Sequence, residues 1–202
     1  MRAAEQDEAA ILEERRAWPE AIAGIARERF VFIDESAART DLVRTHGWSP
    51  RGERVPGTVP CGSWERVTIL GGLGAEGIVA AMSIPAATDG AVFCAYLEQV
   101  LLPELRRSKP DAVLVMDNLA AHKTQAVRTL LDGSGFAYRY LPRYSPDLNP
   151  IEPAWAKVKG LLRKAAARTV GRLHAALGPA LAAITPQDAK GYFRHAGYAC
   201  PN

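Results

Sequence analysis

Residues 112–117 read Ala112-Val113-Leu114-Val115-Met116-Asp117. Five consecutive apolar residues, two of them β-branched, suit a strand buried on both faces, and the run stops on an acid. An earlier stretch, Phe30-Val31-Phe32-Ile33-Asp34, repeats the pattern. Two buried strands that each end on a carboxylate predict an open α/β sheet, whose ligands gather at the carboxyl ends of strands. An aspartate in that position can equally cap the next turn. Side-chain alternation puts Phe32 and Asp34 on one face of the first strand and Val31, Ile33 and Glu35 on the other. Only one of the two neighbouring acids can then easily face a given site.

The remaining chain fills in around these strands. Residues 67–73 and 78–84 are apolar runs separated by Gly74-Ala75-Glu76-Gly77, which reads as a hairpin. Residues 36–62 carry arginines, glycines and prolines without a sustained period, and short strands joined by turns are expected there. Thr88 or Asp89 caps a helix running toward Leu105, with Pro103 disturbing its last turns. A helix over about residues 122–131 and a short strand over 136–141 follow Asp117. A proline-rich loop, 142–150, leads into a helix reaching about residue 167, and one or two more helices fit between 170 and 195. Residues 4–17 form a polar helix that Trp18-Pro19 should close, because the residue before proline is steered out of the helical region. Strands in antiparallel style followed by strand–helix alternation imply a mixed sheet flanked by helices.

Composition narrows the class. At 202 residues the chain holds one main domain of about 150 residues. Residues 1–28 read as a helical lead-in, and 29–202 as the domain itself. Hydrophobic residues at 48% and charged residues at 23% are ordinary globular usage and argue against disorder. No apolar run approaches the roughly 18 residues of a membrane span, and the acidic N-terminus is unlike a secretory signal. Cys61, Cys94 and Cys200 are odd in number and far apart, so neither a disulfide framework nor a zinc site is indicated, and a reducing cytoplasm fits best. The net charge of +3 is too weak to identify a partner, but its distribution is uneven. Residues 139–172 hold eight basic side chains against Asp147 and Glu152, a local excess that suits a polyanion or a solvated helix face.

Glu152 opens this basic helix. With Asn149 as N-cap and Pro150 at the first helical position, it stands where a capping box places its reciprocal partner, which is the structural reading of that acid. At 100° per residue, Ile151, Ala154, Trp155, Val158, Leu161, Leu162 and Ala165 form an apolar arc, the core face, so Trp155 reads as core. Glu152 lies just outside the arc. Lys159 and Arg163 fall on nearly its meridian, roughly 10 and 16 Å further along the axis, too far to pair with it but able to hold flanking phosphates. If Asp34, Asp117 and Glu152 meet, they repel one another unless a cation lies between them. An oxygen-only set selects Mg²⁺ or Mn²⁺. Two such ions can activate a water or a 3′-hydroxyl and stabilise the leaving oxygen of a phosphodiester.

These residues resemble a known family. Phe32-Ile33-Asp34-Glu35, Arg44-Thr45-His46-Gly47, Pro50-Arg51-Gly52-Glu53-Arg54, Val115-Met116-Asp117-Asn118 with His122, and Leu141-Pro142 through Tyr144-Ser145-Pro146-Asp147-Leu148-Asn149-Pro150-Ile151-Glu152 are similar to the catalytic domain of mariner-superfamily DDE transposases, most of all the bacterial insertion-sequence branch. The 34 residues between Asp117 and Glu152 match the family's spacing, and the similarity runs over about residues 30–167.

The resemblance implies a ribonuclease-H-like fold and catalytic metal ligands Asp34, Asp117 and Glu152 holding two Mg²⁺ or Mn²⁺ ions. The reaction it implies is cleavage and joining of DNA at transposon ends and target, in a bacterial cytoplasm. Asn118, His122 and Lys123 then join Lys159 and Arg163 as candidate DNA contacts, His122 either touching substrate or capping its helix. Full-length members carry helix-turn-helix domains, for which the roughly 28 residues before the first strand leave no room. An upstream DNA-binding half and a homodimer on paired ends are therefore expected partners. The alternatives are a non-catalytic DNA-binding or assembly remnant and a nuclease acting on RNA–DNA hybrids.

Overall fold

The computed structural model describes residues 4–198. Five strands, β1 (Phe30–Arg39), β2 (Arg66–Gly74), β3 (Gly77–Ile84), β4 (Val113–Met116) and β5 (Ala137–Tyr140), form one sheet in the order β3-β2-β1-β4-β5. The β3-β2-β1 half is antiparallel, and β4 and β5 run parallel to β1. This is the mixed sheet expected from the sequence. The hairpin closes on Ala75-Glu76, with Gly77 at φ 124°, a backbone state that favours glycine.

Helices cover both faces: α1 (Ala9–Ala21), α2 (Gly90–Tyr96), α3 (Leu102–Ser108), α4 (Gln125–Ser134), α5 (Ile151–Ala165), α6 (Val170–Ala182) and α7 (Pro186–His195). Strand alternation sorts the core into two layers. Phe30, Phe32, Val113 and Val115 pack with Trp155 of α5, Leu173 of α6 and Phe193 of α7. Val31, Ile33, Leu114 and Met116 pack with Phe93, Leu105 and Leu131 of α2, α3 and α4.

Several boundaries differ from the sequence expectation. β1 continues five residues beyond Asp34, and residues 41–65 contain no strand, so the short strands expected over 36–62 reduce to the end of β1. Its register explains the extension. The parallel pairing to β4 stops at Ile33–Met116, but antiparallel pairing to β2 continues to Arg39–Arg66. α1 runs through Trp18-Pro19 to Ala21, because a proline this near a C-terminus removes little of the ladder and Trp18 is anchored in the core, its indole N–H donating to the Tyr198 hydroxyl. Asp89 caps α2 by accepting from the Val92 N–H. Pro103 is absorbed by a π-turn, Leu97–Leu101, that keeps α2 and α3 nearly continuous. Ala165 at the end of the α5 arc is exposed rather than core.

Cys61 and Cys94 are free thiols, and Cys200 lies outside the described residues. No helix among the described residues is long and apolar enough to cross a membrane.

Candidate active site

The site begins where β1 and β4 part. Ile33 and Met116 are the last parallel pair, so the next residue on each strand, Asp34 and Asp117, stands at the same level of the sheet. Asp34 is buried, with 8% of its surface exposed, and is held in mid-strand by its pairing with Gly71 of β2. It is therefore not the strand-end residue the sequence suggested.

The third acid arrives on α5, and Gly71 governs how close that helix comes. A Cβ at position 71 would lie 2.6 Å from the Trp155 ring, so the absent side chain is what lets the indole rest on the strand beside Asp34. Glu152 precedes Trp155 by three residues and shares that side of the helix. Burying Trp155 thus carries Glu152 toward the other two acids. The capping-box reading of Glu152 is not formed, since α5 begins without a side-chain cap hydrogen bond.

Asp34, Asp117 and Glu152 line one cavity of about 370 Å³, floored by Leu141 and Asn149 and walled by the 142–146 loop. Burial, then the charges of Glu152 and Asp117, push the Asp34 carboxyl up to about 8. Glu152 is also raised by the protein around it, with Lys159 opposing and Asp117 adding to the rise. Lys159, too far along the helix for direct pairing, thus acts on Glu152 through its charge. The three acids form no ready chelate: among the described residues, no group of three or more His, Cys, Asp or Glu side chains has the arrangement to hold an ion. Their chemistry nonetheless fits a hard divalent cation, because the donors are all carboxylates and their mutual repulsion is what such a cation relieves.

The wall of the cavity is fastened from outside. Tyr144 adopts φ 53°, a left-handed conformation that costs a non-glycine residue roughly 1–2 kcal/mol. The N-terminal segment holds the loop in it. Glu14 of α1 accepts from the Arg143 backbone N–H and guanidinium, Gln6 donates to the Tyr144 carbonyl, and Arg15 makes a two-pronged pair with Asp147 at 2.6 and 2.9 Å while also donating to Ser145. Nothing local in the chain marks this clasp, whose partners lie about 130 residues apart.

The residues expected to touch DNA are placed unevenly. Lys159 and Arg163 are half-buried along α5, Arg163 lining a second, basic cavity with Arg44, His46 and Arg168. Asn118 donates to the Leu141 carbonyl and accepts from Lys123, whose ammonium also sits 4.9 Å from the Tyr140 ring centre, so these two tie the end of β4 to β5. His122 has no exposed surface for a substrate to touch. Nor does it cap its helix: it lies on a 3₁₀ turn, Ala120–Lys123, and Thr124 caps α4. Its ring stands between two acids, Nδ1 2.7 Å from Asp117 Oδ1 and Nε2 3.1 Å from both Glu35 oxygens. Burial alone would favour neutral imidazole, but the two carboxylates overcome it and raise His122 to about 9. Of the eight basic residues over 139–172, Arg143 is paired with Glu14, Lys157 with Asp188, and Arg168 donates to the carbonyls of Thr40 and Leu42, which leaves less of that charge for a polyanion.

Comparison with solved structures finds the same fold. The Mos1 mariner paired-end complex with Mn superposes with a TM-score of 0.72 at 19% identity, over 94% of this chain and 59% of that one. The catalytic domain of Mos1 mariner transposase gives 0.70 at 16% identity, over 97% and 89%. The same catalytic domain with Raltegravir and Mg gives 0.69 at 17%, over 94% and 89%. The chain thus spans about three-fifths of the length of the transposase in the paired-end complex, and its sheet is the ribonuclease-H-like arrangement. No curated protein sequence matches. A family model described as DDE superfamily endonuclease matches residues 29–174, which include every strand and all three acids. With that match extending over most of its length, the chain belongs to the DDE superfamily endonuclease family.

Proposed function

We propose that this chain is a transposase catalytic domain that cuts and joins DNA phosphodiesters at transposon ends, with Asp34, Asp117 and Glu152 as its metal-binding catalytic acids. One observation carries the reading: three carboxylates from β1, the end of β4 and the first turn of α5 line a single cavity, where Asp34 is held far above its ordinary range by burial and by the other two. A cluster of like charges with no cation among its lining residues other than Arg143, itself paired with Glu14, suits binding of two Mg²⁺ or Mn²⁺ ions. The bound ions would supply Lewis acidity to a phosphodiester oxygen and to the attacking water or 3′-hydroxyl.

The protein's own residues do the rest. Asp34 is fixed by its strand pairing, Asp117 follows the last residue of β4, Glu152 is set by the seat of Trp155, and the 142–146 loop forms one wall. Lys159 and Arg163 follow Glu152 along α5 and in this reading hold flanking phosphates, contacts that orient DNA without reading its sequence. An upstream DNA-binding half and a second copy on paired ends are the partners this reading requires.

The test is cleavage by the purified chain. It should nick plasmid DNA or join a pre-cut transposon end with Mg²⁺ or Mn²⁺, and Asp117→Asn should abolish both. Activity that survives in that variant refutes the assignment of the acids. DNA binding that weakens with salt but needs no metal, with no cleavage under any metal, makes the chain a binding module instead. Preference for RNA–DNA hybrid over duplex DNA in a substrate panel makes it a ribonuclease.

A further inference from the structure

We infer that Glu35 is a positioning residue for this reaction, acting through His122 to hold Asp117 in the orientation that binds metal. The inference rests on the catalytic reading of Asp117 given above. Glu35 follows Asp34 directly, and alternation turns it to the opposite side of the sheet. There its side chain, 12% exposed, brings both oxygens to 3.1 Å from His122 Nε2. The imidazole has no exposed surface and stacks on Phe93 with ring centres 4.0 Å apart. Its backbone carbonyl accepts from the Tyr140 hydroxyl at 3.0 Å. Glu35 and Phe93 bracket the imidazole, and its Nδ1 stands 2.7 Å from Asp117 Oδ1.

That oxygen also accepts from the Leu119 N–H at 3.0 Å. Oδ1 is therefore engaged by His122 and Leu119, and Oδ2 has no protein partner among the described residues. A buried carboxylate–imidazole pair is an expensive way to fill a core, because Glu35 and His122 must both be desolvated, and an apolar pair of similar volume would pack there at lower cost. Its position accounts for it. The row from Glu35 through His122 ends on Asp117, which stands just past the end of the β1–β4 ladder at Met116 and has no strand pairing of its own. Metal-binding side chains are commonly aligned by such outer partners, whose loss lowers affinity by about 10- to 100-fold.

The experiment uses the whole chain and reads Mn²⁺ binding by the electron paramagnetic resonance signal of the free ion, the melting temperature in EDTA, and cleavage as a function of Mn²⁺. Glu35→Ala should weaken Mn²⁺ binding by about tenfold or more and shift the Mn²⁺ needed for half-maximal cleavage by the same factor. Glu35→Gln, which still accepts from Nε2–H, should restore most of both. Should Glu35→Ala fail to fold, Glu35→Leu fills the volume without an acceptor and takes its place. Wild-type Mn²⁺ affinity in either apolar variant, with only a lower melting temperature, overturns the proposal and leaves Glu35 a packing residue. If the wild type binds Mn²⁺ through Asp117 yet cuts no DNA, the nuclease reading fails while the positioning of Asp117 stands. If Asp117→Asn leaves Mn²⁺ binding intact, both fail.

Discussion

Two of the three acids and the third reach the cavity by different physical routes. Asp34 and Asp117 follow the last rung of a parallel ladder between central strands, so the hydrogen bonding of the sheet sets their separation. Glu152 is placed by a helix that rests one tryptophan on one glycine and by a loop strapped to α1. The first route is backbone geometry deep in the core; the second is side-chain packing and surface ion pairs. The backbone positions of Asp34 and Asp117 should therefore last as long as the sheet does, while Glu152 can be loosened independently.

The largest effect should come from the tryptophan. Trp155→Ala empties the seat of α5 and should cost about 3–5 kcal/mol in denaturant unfolding. Hydrogen exchange should show α5 losing more protection than β1 and β4 do. Equal loss in both would mean that helix and sheet are one unit and would erase the distinction.

A smaller effect separates the acids by burial. In metal-free protein, Asp34→Asn should raise stability at pH 8 and above by at least about 1 kcal/mol, because a buried, repelled carboxylate is replaced by a neutral amide. The sign follows from the raised value. Asp34 keeps its proton in the fold up to about 8, so the stability associated with the protonated form is full below 3.8 and is lost as pH rises through about 8. The advantage of the variant should vanish below pH 4. Glu152 at the rim, raised in the same direction but more exposed than Asp34, should gain less when changed to Gln. Equal gains in the two variants would remove the contrast between a buried and a rim acid.

The smallest change in stability concerns the strap. Arg15→Ala breaks the pair with Asp147 on the surface and should cost no more than about 1 kcal/mol overall. It should nevertheless speed hydrogen exchange and proteolysis in residues 142–150, which hold the strained Tyr144. A loop as protected as before would show that the strap is ornamental.

Much of this was legible in the sequence. Continuous apolar runs identified β1 and β4, glycines marked the hairpin, and helical periodicity found the face that α5 buries, apart from Ala165. Alternation also sent Asp34 and Glu35 to opposite faces correctly. The rest depended on contacts between distant residues. The length of β1 is set by what β2 offers as a partner, not by β1's own composition. The sequence leaves His122 touching substrate or capping its helix, because nothing local reveals that its ring closes a gap between residues 35 and 117. The nearest thing to a signal was an acid adjoining Asp34 together with a histidine five residues after Asp117. The clasp of Glu14 and Arg15 on the 143–147 loop left no local trace, since charged side chains on a polar helix look alike whether they are free or paired.

The back-to-back acids of β1 make strand alignment a matter of chemistry as well as packing. A slip of one residue would turn every side chain of that strand over: in one direction Glu35 would enter the cavity, in the other Asp34 would face the imidazole. Glutamate is one methylene longer and would overshoot the place beside Gly71, while aspartate would fall short of His122. The eight paired positions with β2 and the four with β4 therefore protect more than the core: they keep each acid on the side of the sheet where its length is right.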